Sequence, residues 1–474
     1  MRRRFLLILT SCVVLLGAIG VASAQTKLPR MNFRERTLPN GLRVLSVVDK
    51  SSPTVTINVW YHVGSKDDPD HRSGFAHLFE HIMFKSTKNM KAEMMDRLTE
   101  DVGGTNNAFT QDDVTVYYEV VPSNYLETLL WAEAERLSGL TVDEENFHSE
   151  RAVVEEEYRQ SILAPPYGRF YYVLDQKSFT AHPYKRPTIG SIEDLDAATI
   201  ENVRKFHDTY YRPDNATLIV VGDFEPKQLD AWVDKYFAQI QKPNLSLPRV
   251  QVSEPARTGE KRFVEYGPNV PLKAVGITYL VPSEKSEDAA ALTMADIILS
   301  QGRSSRLYQS LVYQQQVAQS VNANADLRED AGLFDLTAIV ATGKKPEDAE
   351  SSLRAEIKKL QDNPVSAAEL EKAKNQIVTS QLRQRETSLG KSQALGRATV
   401  LLGDANRVNT ELEHLQAVIA ADVQRVAKKY FTDQNRYVFY YLPESERPNA
   451  KTSRLSTVVD QAKGAQANEK EHDH

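Results

Sequence analysis

Cysteine is almost absent from this chain of 474 residues: Cys12 is the only one. It lies in an N-terminal apolar run, Phe5 to Ala22, which follows three arginines and ends before Gln25 in the small-x-small pattern of a signal-peptidase site. We expect residues 1–24 to be a cleaved signal peptide, with a retained membrane anchor or lipidation of Cys12 as the alternatives. Cleavage leaves no thiol, which excludes disulfide bonds and cysteine catalysis in the mature chain.

Two further features of the sequence indicate the compartment of the protein and a class of partner that it does not bind. No apolar run after residue 24 is long enough to span a bilayer, so we expect an exported, periplasmic protein without membrane attachment after cleavage. Losing the three arginines of the signal takes the formal net charge from −6 to −9. A negative chain of this kind is an unlikely match for nucleic acid, which we exclude as a partner.

The length of the chain exceeds a single hydrophobic core and indicates two domains. Residues 55–61 and 274–280 have the pattern of strands that run into helices, and residues 113–120 and 331–340 are strand-like segments before long helices. We therefore predict two copies of one α/β unit. The predicted boundaries are 25–242 and 261–446 for the two domains, 243–260 for a proline-bearing linker and 447–474 for a disordered polar tail.

Residues 76–82, Ala-His-Leu-Phe-Glu-His-Ile, carry the main functional signal. At about 100° per residue, His77 and His81 lie one turn apart on a helix, with Glu80 beside them. Two histidines and an acid in this spacing are typical of a zinc site with a base for its water. The alternative is a pair of surface histidines on an ordinary amphipathic helix, so a further ligand is needed to decide.

A third protein ligand is expected on another element, because zinc sites that keep an open position have three. A downstream helix places Glu150 and Glu157 on the side of its apolar residue Val154. Buried carboxylates need a cation, which leaves two interpretations open. Either they form salt bridges, for instance with Arg151 or Arg159, or Glu157 binds zinc while Glu150 orients a histidine or the base.

These motifs resemble those of the pitrilysin or insulinase family of inverted-motif zinc peptidases, which includes mitochondrial processing peptidase. Glu157 follows His81 by 76 residues, the family spacing, and pairs with Glu150 in the E-x6-E pattern. Further matches lie at residues 40–42, 104–110, 182–184, 211–216, 221–223 and 304–308. The resemblance implies an α+β fold of two homologous domains, each a mostly antiparallel sheet packed against helices.

The resemblance also implies roles for the motif residues. His77, His81 and Glu157 correspond to the ligands of one zinc ion per chain, and Glu150 to their supporting carboxylate. Glu80 corresponds to the general base that takes a proton from the metal-activated water and passes it to the leaving amine.

Substrate binding is the other property that the resemblance implies. Asn107, Ala108 and Phe109 match the edge strand to which family members add a peptide as an extended strand. Family members also carry an arginine and a tyrosine, seven residues apart, that grip the substrate, but Val312 and Gln319 occupy those positions here. We therefore expect a heterodimer with a homologous zinc-less subunit that supplies the pair, with a homodimer as the alternative.

The functional hypothesis is an exported zinc endopeptidase that hydrolyses peptides or unfolded segments. Its chemistry is assigned to the first half, because aligning the two halves sets the apolar residues Ala295, Ile298 and Leu299 opposite the motif. The competing hypothesis is a non-catalytic subunit of the same fold that serves in assembly or captures peptides.

Overall fold

The structure, a computed structural model, describes residues 28–448. From Met31 onward these residues belong to one compact unit. The predicted signal peptide with Cys12, and the predicted polar tail beyond residue 448, lie outside the described residues. Between residues 28 and 448, no helix is long and apolar enough to cross a membrane.

Six strands form the sheet of the first half: β1 (Arg34–Thr37), β2 (Arg43–Val48), β3 (Thr54–Tyr61), β4 (Thr105–Thr110), β5 (Thr115–Pro122) and β6 (Ala216–Gly222). Their spatial order is β1-β2-β6-β3-β5-β4. Only β2 and β6 are parallel neighbours; the other pairs are antiparallel. The central strands β3 and β6 are rich in buried β-branched residues, as expected for strands covered on both faces. This order leaves β4 at one edge of the sheet.

Helices cover one face of this sheet and bury a continuous apolar core against it. They are α1 (Phe75–Ile82), α2 (Met94–Glu100), α3 (Leu126–Gly139), α4 (Glu144–Tyr158), α6 (Ile192–Asp196), α7 (Ile200–Tyr210) and α8 (Pro226–Phe237). Helix α5 (Gly168–Ser178) instead packs on the sheet of the second half through Phe170 and Leu174. A π-helical turn, Arg159–Leu163, extends α4.

The second half has a five-stranded sheet made of β7 (Lys261–Gly267), β8 (Ala274–Pro282), β9 (Ala318–Asp326), β10 (Ala331–Val340) and β11 (Arg436–Pro443). Its order is β7-β11-β8-β10-β9, and only β7 and β11 are parallel. Its helices are α9 (Ala289–Ser300), α10 (Pro346–Asp362), α11 (Ala367–Gln384), α12 (Ser388–Val400), α13 (Arg407–Ala417) and α14 (Ala420–Tyr430), with a π-helical turn at Tyr308–Gln314.

The two sheets repeat one topology. The order β2-β6-β3-β5-β4 corresponds strand by strand to β7-β11-β8-β10-β9, with the parallel pair at the same place in both. The prediction of two similar units with mostly antiparallel sheets packed against helices is therefore confirmed. The exact domain boundaries remain predictions; residues 243–260 contain no helix or strand.

The two halves also share a core. Helix α12 of the second half packs on the face of the first sheet that α1 does not cover, where Leu395 and Ala398 meet Trp60. A Cβ atom at Gly396 would lie 2.1 Å from a ring carbon of Trp60. The close approach of α12 to the sheet therefore requires glycine at this position.

Candidate metal centre

Helix α1 presents the two histidines of the motif on its partly exposed side. The ring centroids of His77 and His81 are 5.0 Å apart. The Asp68 carboxylate fixes the start of the helix by accepting hydrogen bonds from the backbone N–H groups of Gly74 and Ala76, at 2.7 and 2.9 Å. The opposite side of α1 is fully buried and holds the helix on the sheet through Phe75, Leu78, Phe79 and Ile82.

Helix α4 brings two carboxylates to these histidines. Its first turn is capped by the side chain of Asp143, which accepts a hydrogen bond from the N–H of Asn146. Oε2 of Glu157 lies 3.6 Å from Nε2 of His77 and 3.4 Å from Nε2 of His81. On the other side of the second ring, Oε2 of Glu150 lies 3.6 Å from Nδ1 of His81.

The spacing of these atoms fits a tetrahedral metal ion. Bonds of about 2.0–2.2 Å from zinc to nitrogen and oxygen separate neighbouring ligand atoms by roughly 3.4 Å, and the histidine-to-Glu157 separations are 3.4 and 3.6 Å. The ligand atoms of His77, His81 and Glu157 all lie within 4.8 Å of one another, the one such group between residues 28 and 448. Two imidazoles and one carboxylate are a donor set that zinc accepts, with a fourth position left for water.

Neither Glu150 nor Glu157 forms the salt bridge with Arg151 or Arg159 that was the alternative to zinc binding. Arg151 and Arg159 both pair with Glu155 instead. The two inward carboxylates also differ in burial: the Glu150 side chain is 6% exposed and that of Glu157 is 44% exposed. We expected both to be buried; Glu157 lies near the end of α4, where the site opens to solvent.

Glu150 has a cationic partner that was not predicted from the sequence. Nζ of Lys85 lies 2.9 Å from Oε1 of Glu150, while Oε2 faces His81. Burial alone raises the pKa of Glu150, but its bonds to His81 and Lys85 outweigh burial and hold the pKa below its ordinary value. Lys85 lies in the turn after α1, three residues beyond the end of the helix, so the helical periodicity of the motif does not place it.

The two histidines have opposite protonation preferences. Burial lowers the pKa of His77 to about 4. Burial also opposes charge on His81, but hydrogen bonds to Glu150 and Glu157 outweigh it and raise its pKa to about 9. Nδ1 of His77 is buried without a hydrogen-bond partner among the described residues, so only His81 has a carboxylate that fixes its ring nitrogens.

Glu80 is held by a residue on β4. The hydroxyl of Thr110 donates a hydrogen bond of 2.6 Å to Oε2 of Glu80. Burial raises the pKa of Glu80 above its ordinary value, as expected for a carboxyl group on the inner side of a site. Thr110 ends the family motif at residues 104–110 but had no predicted role, because only the fold brings β4 to α1.

The predicted substrate strand is an edge of the first sheet. Asn107, Ala108 and Phe109 lie in β4, which pairs with β5 on one side only among the described strands. Asn107 is exposed, and Phe109 packs edge-on against Trp60 with ring centroids 6.1 Å apart. The other edge of β4 therefore presents backbone groups to which an extended chain could pair.

The second half has no comparable centre in its described residues. Ala295, Ile298 and Leu299 are buried in the apolar side of α9. Val312 lies in the π-helical turn of the second half, and Gln319 is exposed on β9. Between residues 28 and 448, the one group that could hold a metal ion therefore lies in the first half.

Comparisons with known proteins agree with this fold. Residues 43–190 match the sequence model of the insulinase family, peptidase family M16, and residues 197–377 match that of the peptidase M16 inactive domain. The zinc protease PqqE of Helicobacter pylori is 30% identical over 433 residues, which cover 91% of this chain and 97% of that protein. A probable mitochondrial-processing peptidase subunit beta of Arabidopsis thaliana is 26% identical, over 90% of this chain and 81% of that one.

Solved structures show the same architecture. A crystal structure of a protease from Helicobacter pylori superposes with a TM-score of 0.84 at 30% identity and covers 87% of this chain and 100% of that one. The first half of the periplasmic protease PqqL of Escherichia coli shares the fold, with a TM-score of 0.71 at 19% identity, over 89% of this chain and 94% of that one. Fold and site together define a two-domain protein of the metallopeptidase type. The chain belongs to the insulinase family, peptidase family M16.

Proposed function

We propose that this protein is an exported zinc endopeptidase that hydrolyses peptides or unfolded segments. The observation that carries the proposal is the convergence of His77, His81 and Glu157 at separations suited to one zinc ion, with Glu80 beside them. The name of the Helicobacter pylori relative, a zinc protease, supports the choice of metal and reaction.

Each residue of the site has its own role in the proposed reaction. His77, His81 and Glu157 hold the ion, which when bound acts as a Lewis acid for water and for the peptide carbonyl. Glu80 accepts the proton of the attacking water and returns it to the leaving amine. Glu150, whose Oε2 lies 3.6 Å from Nδ1 of His81, orients that ring and directs its Nε2 to the ligand position.

The proposed substrate is an extended chain bound along β4. Pairing with the free edge uses backbone groups at Asn107, Ala108 and Phe109, so recognition depends on extended conformation more than on side-chain identity. A folded protein offers few free strands and is expected to be a poor substrate.

A partner subunit completes the site in this proposal. Val312 and Gln319 cannot supply the cation and phenol that family members use to grip substrate and to stabilise the oxyanion. A heterodimer with a homologous zinc-less chain restores those groups, and the Arabidopsis thaliana relative is named as a beta subunit. The proposed compartment is the periplasm, since the Escherichia coli protein of the same fold is a periplasmic protease.

Metal analysis and a cleavage assay on the same preparation test the proposal. The mature chain, alone and with its suspected partner, is assayed for zinc and for cleavage of a quenched peptide library with and without a chelator. We expect one zinc per chain, loss of zinc in Glu157→Gln, and cleavage that the chelator abolishes. Stoichiometric zinc without turnover under every pairing would instead support the non-catalytic, peptide-capturing alternative.

A further inference from the structure

The hydrogen bond between Thr110 and Glu80 links the base to the end of a hairpin. Thr110 is the last residue of β4, and its side chain points to the face that carries α1. A short O–H···O⁻ bond to a carboxylate is among the stronger hydrogen bonds in proteins. By occupying one oxygen of Glu80, it limits the directions in which the other oxygen can point.

The turn after Thr110, residues 111–114, is held by backbone contacts of the first half. We call it the first-half turn. The N–H of Gln111 donates to the carbonyl of Val114 at 2.8 Å. The N–H groups of Ser65 and Lys66 donate to the carbonyls of Gln111 and Asp112, both at 3.1 Å. The carboxylates of the turn accept hydrogen bonds from first-half hydroxyls, Asp112 from Ser65 at 2.9 Å and Asp113 from Tyr184 at 2.6 Å, and both carboxylates also face the second half.

The corresponding turn of the second half, residues 327–330 between β9 and β10, meets the first-half turn directly. We call it the second-half turn. Arg328 pairs with Asp112 at 3.2 Å, and the N–H of Glu329 donates to the Asp113 carboxylate at 3.1 Å. Nζ of Lys66 lies 2.8 Å from both Asp113 and Glu329. Since Lys66 and Arg328 are only 5% and 8% exposed, water screens these contacts little.

We propose that Thr110 is a positioning residue for Glu80 and that the second-half turn keeps Thr110 in place. The inference rests on the proposed function, because it assigns Glu80 the role of base. It gives the second half a task in the chemistry of the first half: ion pairs at the second-half turn hold the first-half turn in place, and that turn holds Thr110 and hence Glu80. Fixing a catalytic group before substrate arrives contributes to rate by reducing unproductive orientations.

The first test compares two substitutions of Thr110 in the zinc-loaded protein with its partner. Thr110→Val keeps the shape and removes the hydroxyl, so we expect kcat to fall about 10-fold while KM and zinc content stay the same. Thr110→Ser restores the donor and should recover most of kcat. Thr399→Val removes a buried hydroxyl in α12 and serves as the control, because it shows whether loss of any buried threonine hydroxyl lowers kcat. Equal kcat for Thr110→Val and wild type would overturn the proposal.

The second test asks whether the second-half turn acts through Thr110. Glu329→Gln removes the charge that faces Lys66 and should lower kcat about 3-fold, an effect that disappears in a Thr110→Val background. Glu350→Gln is the matched control, since Glu350 is a similarly buried carboxylate of the second half that pairs with Arg262. Effects of Glu329→Gln and Thr110→Val that simply add would show that the turn does not act through Thr110.

Crystal structures separate failure of this inference from failure of the proposed function. In wild type we expect one orientation of the Glu80 carboxylate, bonded to Thr110, and in Thr110→Val a carboxylate that has turned or taken several orientations. An unchanged Glu80 in Thr110→Val would overturn the positioning role even if no substrate is ever cleaved. Absence of turnover with the expected change at Glu80 would count against the peptidase proposal alone.

Discussion

At the scale of single residues, Glu150 connects the first turn after α1 to the candidate metal centre. It is the buried partner of both His81 and Lys85. We predict that Glu150→Gln retains the fold but lowers zinc affinity about 10-fold, because a neutral amide orients His81 less strongly than a carboxylate does. Competition with a chromophoric chelator measures the affinity.

The control for this substitution lies on the same helix. Glu156 is 56% exposed on α4, so Glu156→Gln removes an equal charge without touching a histidine. Equal zinc affinity in Glu150→Gln and Glu156→Gln would show that Glu150 only stabilises the fold.

At the scale of elements, one carboxylate joins two helices of the second half. Asp288, at the start of α9, accepts hydrogen bonds from Arg425, Lys429 and Tyr430 of α14. Burial opposes its ionisation, but the bonds from Lys429, Tyr430 and Arg425 outweigh burial and hold its pKa at about 2. A folded-state pKa below the ordinary value means that the ionised form stabilises the fold.

The sign of this effect gives a pH prediction. The contribution of Asp288 is fully present above its ordinary pKa of 3.8 and is lost as the pH falls through about 2. We predict that Asp288→Asn lowers the free energy of unfolding by about 1 kcal/mol near pH 6, and that its difference from wild type shrinks between pH 4 and pH 2. Urea unfolding across this range measures it, with the exposed Asp362→Asn as control. A difference independent of pH would contradict this role of the carboxylate.

Local patterns predicted the strands, the helices and the convergence of His77, His81 and Glu157 better than they predicted the contacts between the two halves. The strand predicted at 55–61 is β3, and the helical spacing of His77 and His81 brought both to one face. The pairing of Glu329 with Lys66 spans 263 residues, so no periodicity in either segment could indicate it. The same holds for Thr110 and Glu80, which depend on how β4 packs beside α1.

At the scale of the whole molecule, this chain has the residues proposed to bind zinc but lacks the arginine and tyrosine with which family members bind substrate. The candidate ligands His77, His81 and Glu157 lie in the first half. Val312 and Gln319 occupy the positions at which family members carry the substrate-binding arginine and tyrosine. We predict that the double substitution Val312→Arg with Gln319→Tyr raises the activity of the chain assayed without its partner by at least about 10-fold, because oxyanion stabilisation is worth a few kcal/mol.

The rate of peptide cleavage measures this effect. The double variant and wild type are compared at equal zinc content and at a protein concentration that allows self-association. Each single substitution serves as a control, since the two groups act together on one substrate. Unchanged activity in the double variant would mean that the partner contributes something other than this pair, or that wild type works without it.

The proposed reaction depends on Glu80 and on a zinc ion bound by His77, His81 and Glu157. Its most direct test is the cleavage rate of zinc-loaded Glu80→Gln relative to zinc-loaded wild type, each with the partner present. We predict one zinc per chain in both and a rate at least about 100-fold lower in the variant, since general base catalysis contributes that much. Equal rates at equal zinc content, or no cleavage by wild type with any partner, would contradict this mechanism.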